Sequence, residues 1–168
     1  MNFDELYHSF SDMVYQLCLN YFRNKADAED CAQDVFVKVY NKRASFKGEA
    51  ELKTWIYRIT VNTCMDKVRS QQRKQRLMKL LPFYTPRMDV EFDHPGVLLE
   101  QKEAVDKIMK AIDKLPEKQR HAIILKRIEK LSQKEVAAIL ECSEKAVESL
   151  LSRATKQVKI LLNEGNAN

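Results

Sequence analysis

Apolar residues recur at steps of three and four through most of the chain. Phe3, Leu6, Tyr7, Phe10, Met13, Val14, Leu17, Cys18 and Tyr21 form one stripe and predict a first helix. A second helix is expected over about Lys25 to Lys42, with Ala28, Cys31, Ala32, Val35, Phe36, Val39 and Tyr40 on its inner side. After a polar loop from Arg43 to about Glu51 comes a long helix whose inner side reads Leu52, Trp55, Ile56, Ile59, Cys64, Met65 and Val68. Strand-type alternation is absent, so the fold class is all-α.

The periodicity fails between about Leu80 and Gly96, where three of the four prolines fall. Each proline removes a backbone donor and restricts the residue before it. This marks residues 80–96 as a flexible linker between two small helical domains, 1–79 and 97–168. Past the linker, a helix is expected over about Val97 to Lys114, and Pro116 restarts another at its first position. Ser132-Gln-Lys-Glu135 fits a capping box at the start of a short helix. Glu141-Cys-Ser then interrupts the pattern, and a longer helix carries Val147, Leu150, Leu151, Ala154, Val158 and Leu161. A short helix, a three-residue turn and a longer helix make a helix-turn-helix.

Charge sharpens this picture. Lys53, Arg58, Lys67, Arg69, Arg73, Lys74, Arg76 and Lys79 stand against Asp66 alone, giving +7 in one segment of a chain whose net charge is +5. A positive stripe confined to one helix is the footprint of phosphate neutralisation. Arg58, Asn62 and Arg69 or Arg73 share its outer face, where Asn62 suits a base edge and the arginines suit phosphate. The spacing of Trp55 suits a core anchor, which leaves Tyr57 and, second, Phe46 as exposed aromatics for base stacking.

The preceding helix is acidic. Asp30, Gln33, Asp34 and Val37 share one outer face, with Asp27 a turn earlier. Asp27, Glu29 and Asp30 are close enough to the helix start to complement its dipole, but Asp34 lies too far in for that. Its setting fits a docking surface for a basic partner helix. On the last helix Lys145, Glu148, Ser149, Ser152, Arg153 and Lys156 point away from the apolar stripe, toward base edges and phosphates of duplex DNA.

Other chemistry is not indicated. Cys18, Cys31, Cys64 and Cys142 are widely spaced within apolar patterns and read as core thiols of a reducing compartment. His8, His94 and His121 have no carboxylate or cysteine at telling spacing, and no phosphate-cradling glycine loop occurs. No catalytic residue, metal, cofactor or small-molecule substrate is expected, and neither a signal peptide nor a membrane span is legible, which points to the cytoplasm.

Asp27-Ala-Glu-Asp-Cys-Ala-Gln-Asp-Val-Phe, Phe46-Lys-Gly, Trp55-Ile-Tyr-Arg-Ile-Thr-Val-Asn, Leu115-Pro-Glu-Lys-Gln-Arg and the helix-turn-helix ending Ser152-Arg-Ala occur in an order and spacing that resemble an extracytoplasmic-function sigma factor of bacterial RNA polymerase. The resemblance covers nearly the whole chain. It implies docking of Asp27, Asp30, Gln33, Asp34 and Val37 on the β′ clamp helices of core polymerase, which also engages the factor through its β subunit. Phe46, Lys47, Tyr57, Arg58, Asn62, Arg69 and Arg73 would read and melt the minus-ten element, capturing a flipped base of the non-template strand. Lys145, Glu148, Ser149, Ser152, Arg153 and Lys156 would read the minus-thirty-five element. Where many members carry Thr-Val-Lys-Ser-Arg, this chain has Ala146-Val-Glu-Ser-Leu, implying lower phosphate affinity at that helix. The resemblance further implies an anti-sigma partner and a stress or envelope-signal regulon. Two readings without it remain open: a helix-turn-helix regulator acting without polymerase, and a helical protein-interaction adaptor.

Overall fold

The structure is a computed structural model that describes residues 2–46, 48, 51–79 and 99–165. The expected linker, Lys47 and His94 lie outside them. The chain divides into two compact units, Met1–Phe92 and Asp93–Asn168.

In the first unit three helices share one core. Helix α1 (Phe3–Phe22) starts where Asn2 Oδ1 accepts the Asp4 N–H at 3.1 Å, and it ends at Arg23 in a left-handed conformation. Helix α2 (Lys25–Lys42) is capped by Asn24, whose side chain accepts from the Asp27 N–H and donates to the Asp27 carboxylate, both at 2.8 Å. Caps of this kind stabilise a helix by about 1 kcal/mol. A short 3-10 turn (Arg43–Ser45) follows, and then α3 runs from Leu52 to Met78.

α1 packs on α2 and α3, and α2 packs on α3. Val14, Leu17, Cys18, Ala28, Cys31, Val35, Val39, Ile56, Thr60 and Cys64 are fully enclosed. Burial of each large aliphatic side chain contributes about 1.5–3 kcal/mol. Thr60 and Thr63 are tolerated in this core because their hydroxyls donate to the carbonyls of Ile56 and Ile59 one turn back, at 2.8 and 2.7 Å. With ten buried positions, α3 is enclosed over a wider arc than one apolar stripe would give.

Three aromatic residues fall differently from their sequence reading: Tyr57, Tyr40 and Tyr7, the last 45% exposed. Tyr57 is buried, at 4% exposure, and is therefore not an exposed stacking platform. It sits one position after Ile56, and the extra width of the buried arc takes it inside. Tyr40, expected on the inner side of α2, is 46% exposed. Its ring lies at the open end of the α1–α2 seam, edge-on to Phe3 at 5.1 Å and under the Arg43 guanidinium.

The second unit contains α4 (Leu99–Asp113), α5 (Glu117–Ile123), α6 (Gln133–Leu140) and α7 (Glu144–Gly165). Pro116 stands at the N-cap of α5, one position before the expected first turn. A π-helical stretch over Ile124–Ile128 extends α5, a feature without a legible signal in the sequence. α4, α5 and α6 all pack against α7 around Ala122, Ile124, Leu125, Val136, Val147 and Ala154. The Ser132–Glu135 capping box forms as its spacing predicts, with reciprocal bonds of 2.7 and 3.2 Å. Glu141 takes the left-handed conformation (φ 53°) that ends α6, and Ser143 Oγ accepts the Ala146 N–H to start α7. Gln133 Nε2 also donates to the Glu144 carbonyl at 2.8 Å, tying the start of α6 to the start of α7. These contacts define a helix-turn-helix. His121 is buried, with Nε2 3.6 Å from Glu117 Oε1 one turn back. This carboxylate neighbour went unread in the sequence.

Candidate protein- and DNA-binding surfaces

The acidic face of α2 is open to solvent. Asp30, Gln33, Asp34 and Val37 are all exposed, the last at 59%. Asp27 is half-buried and its carboxylate accepts from Asn24, so its side chain serves the helix cap. Beside this face runs an apolar groove between α1 and α2 of about 700 Å³, whose lining includes Phe3, Tyr7, Gln33, Phe36, Val37 and Tyr40. Tyr7 stacks obliquely on Phe36, with ring centroids 4.7 Å apart, and still leaves 45% of itself in water. Periodicity placed Tyr7 and Tyr40 with the core because it cannot distinguish a buried stripe from one left uncovered at its edge. An apolar channel rimmed by carboxylates can receive an amphipathic helix carrying basic flanks.

The α3 surface is partly tied to α2. Lys67 Nζ lies 3.3 Å from Asp34 Oδ2 and 3.9 Å from Asp30 Oδ2, and Lys38 Nζ lies 3.6 Å from Asp66 Oδ2. Lys67 is only 22% exposed, so it belongs to the seam between the helices, where sequence alone counted it in the open stripe. Lys53, Asn62, Arg69, Arg73, Lys74, Arg76 and Lys79 are exposed, and Arg58 is half-buried. Arg69 Nη1 lies 3.6 Å from Asp66 Oδ1. Exposed pairs of this kind are worth at most about 1 kcal/mol, so a phosphate can displace them. Phe46, half-buried, packs its ring on Trp55 at 5.0 Å, which makes the pair a shared aromatic surface at the head of α3. With Tyr57 enclosed, Phe46 and Trp55 remain as the aromatic candidates for stacking.

On α7 the side chains of Lys145, Glu148, Ser149, Ser152, Arg153 and Lys156 are all exposed. Glu148, Ser152 and Lys156 follow at steps of four and line a shallow groove of about 540 Å³ together with Lys126, Arg127, Gln133 and Lys159. Lys126, Arg127 and Lys159 were missed in the sequence because the π-helical stretch that presents the first two was not legible there.

Cys18, Cys31 and Cys64 meet inside the core of the first unit. Their distance apart in sequence concealed this. Burial, and then the neighbouring thiols, push the Cys64 thiol well up. The Cys31 bond raises Cys18, whereas bonds from Cys18 and Cys64 lower Cys31.

Residues 6–74 match the family model for Sigma-70 region 2, and residues 106–158 match that for Sigma-70, region 4. The chain is 30% identical over 167 residues to the ECF RNA polymerase sigma factor SigW of Bacillus subtilis, covering 96% of this chain and 89% of that protein. It is 31% identical over 137 residues to the ECF RNA polymerase sigma-E factor of Escherichia coli K12, covering 79% and 72%. The ECF sigma factor SigE of Mycolicibacterium smegmatis is 30% identical over 158 residues, and the chain spans 60% of its length. Among solved structures, the sigma factor RpoE of Bartonella quintana, crystallised with the anti-sigma factor NepR, aligns with a TM-score of 0.69 at 25% identity, covering 96% of each chain. A two-lobed helical protein with a helix-turn-helix in its second lobe and these matches is a transcription initiation factor of the sigma-70 class. The chain belongs to the extracytoplasmic-function sigma factors of RNA polymerase.

Proposed function

We propose that the chain binds core RNA polymerase through the α1–α2 groove and its acidic rim, melts the minus-ten element with the head and outer face of α3, and reads the minus-thirty-five element with α7. The observation that carries this reading is that α2 and α3 pack side by side yet present exposed surfaces of opposite sign. Asp30, Gln33, Asp34 and Val37, joined by Tyr7 and Tyr40, form the docking face, and a partner helix with apolar and basic residues would fit it. Asp27 supports that face by holding the start of α2. Phe46, Arg58, Asn62, Arg69 and Arg73 form the minus-ten face, and Lys47, next to Phe46 in the sequence, is assigned to it; the buried Tyr57 is not. Melting costs a few kcal/mol per flipped base, offset by stacking and edge hydrogen bonds.

Lys145, Glu148, Ser149, Ser152, Arg153 and Lys156, with Lys126 and Arg127, form the duplex-reading face. Residues 80–96 act as the linker between domains 1–79 and 97–168, consistent with the gap between the two family matches. The chain works in the cytoplasm without enzymatic activity of its own; no helix among the described residues is long and apolar enough to cross a membrane. An anti-sigma protein is the expected inhibitor, as one accompanies the Bartonella quintana relative. Its natural target would be the same groove, and its release would switch on a stress or envelope regulon.

Run-off transcription with purified core polymerase tests the reading. Initiation at a restricted set of promoters is expected. Transcription no greater than that of core alone on every genomic fragment would overturn it.

A further inference from the structure

Three helices that meet only through tertiary packing each deliver one cysteine to the same point: Cys18 from α1, Cys31 from α2 and Cys64 from α3. Cys31 Sγ is 3.6 Å from Cys64 Sγ, Cys64 Sγ is 3.8 Å from Cys18 Sγ, and all three lie within 4.8 Å of one another. A circle through three points with those sides has a radius of about 2.1–2.4 Å, which brackets the ~2.3 Å of a metal–thiolate bond. All three residues have 0% exposure. No fourth cysteine, histidine or carboxylate joins the group among the described residues.

We propose that Cys18, Cys31 and Cys64 form a three-sulfur site for a soft monovalent cation, Cu(I). Thiolate ligands select soft ions. Structural zinc is almost always four-coordinate, and this site offers three buried donors, which suits an ion content with three. Binding displaces thiol protons to solvent. The Lys67 charge acts on both Cys18 and Cys31 and offsets the negative charge that the thiolates gain. The same lysine holds Asp30 and Asp34, so the ion would fasten together the three helices that carry both candidate surfaces.

The test uses the full-length reduced chain under anaerobic conditions, titrated with Cu(I) against a Cu(I)-specific chelator. Wild type and Cys142→Ser, altered only in the second unit, should each retain one Cu(I). Cys64→Ala should bind at least about 100-fold more weakly while keeping its helical circular dichroism. X-ray absorption on wild type should count three sulfur neighbours, a readout that stands even if the alanine variant folds poorly. Saturation should raise Tm, since an ion that binds the native site stabilises it. The proposal is overturned by any of the following: two sulfur neighbours, loss of binding in Cys142→Ser, a lower Tm on saturation, or displacement of Cu(I) by equimolar Zn(II).

Discussion

Reversing one charge on α2 separates the docking role from the DNA roles. Asp34 is 60% exposed at its side chain and lies 3.3 Å from Lys67. Two unit charges about 4 Å apart interact by ~1 kcal/mol in bulk water and ~4 kcal/mol at a partly screened protein surface. For a side chain this exposed the lower part of that range applies. Asp34→Lys removes an attraction to a basic partner and adds a repulsion of similar size, so the loss in core affinity is about 2–3 kcal/mol. That corresponds to a Kd roughly 30- to 150-fold higher.

The fold itself should survive the change. Asp30 still faces Lys67 at 3.9 Å, and the lost surface pair plus the new like-charge contact cost on the order of 1 kcal/mol, a Tm change of about 4–8 °C. Competition binding to core polymerase, run at low and at physiological salt, measures the effect. The deficit should shrink as salt rises, because the Debye length falls to about 8 Å at 0.15 M. Duplex binding by the protein should be unchanged. A core Kd within threefold of wild type at low salt, or an equal fall in duplex affinity, would refute the assignment of α2.

Three further outcomes are expected. Lys156→Ala should weaken duplex binding about equally across sequences and reduce the slope of log affinity against log salt by about 1, measured by anisotropy over a salt series. Glu141→Gly should stabilise the protein by up to about 1 kcal/mol in thermal melts, because Glu141 holds φ at 53° where glycine meets no Cβ penalty. Ser132→Ala should cost about 1 kcal/mol by opening the capping box, with the loss seen in the same melts.

Much of this architecture was legible because helices write their periodicity into the chain. The ranges of α1 and α2, the capping box at Ser132 and the break at Glu141 all follow from apolar spacing and cap chemistry. The exposure of Asp34 and Asn62 was equally readable, since each lies opposite its helix's apolar stripe. What escaped depends on tertiary width and proximity. Tyr57 went inside because α3 is enclosed on more than one side, and Tyr40 stayed out because the α1–α2 seam opens at that end. Lys67 looked like part of a DNA stripe until its Asp30 and Asp34 partners appeared across the seam. The three cysteines lie far apart in sequence, and only helix packing brings their sulfurs together. The π-helical stretch that carries Lys126 and Arg127 into the α7 groove has no periodic signature that could have revealed it.

The central claim is that adjacent helices divide the labour of gripping polymerase and opening DNA. Permanganate reactivity of promoter thymines, probed on holoenzyme carrying Asn62→Ala, tests it most directly. The variant should bind core and form the closed complex as wild type does, while the minus-ten thymines lose most of their reactivity. Full reactivity at those thymines, or a fall in core affinity as large as the fall in melting, would contradict it.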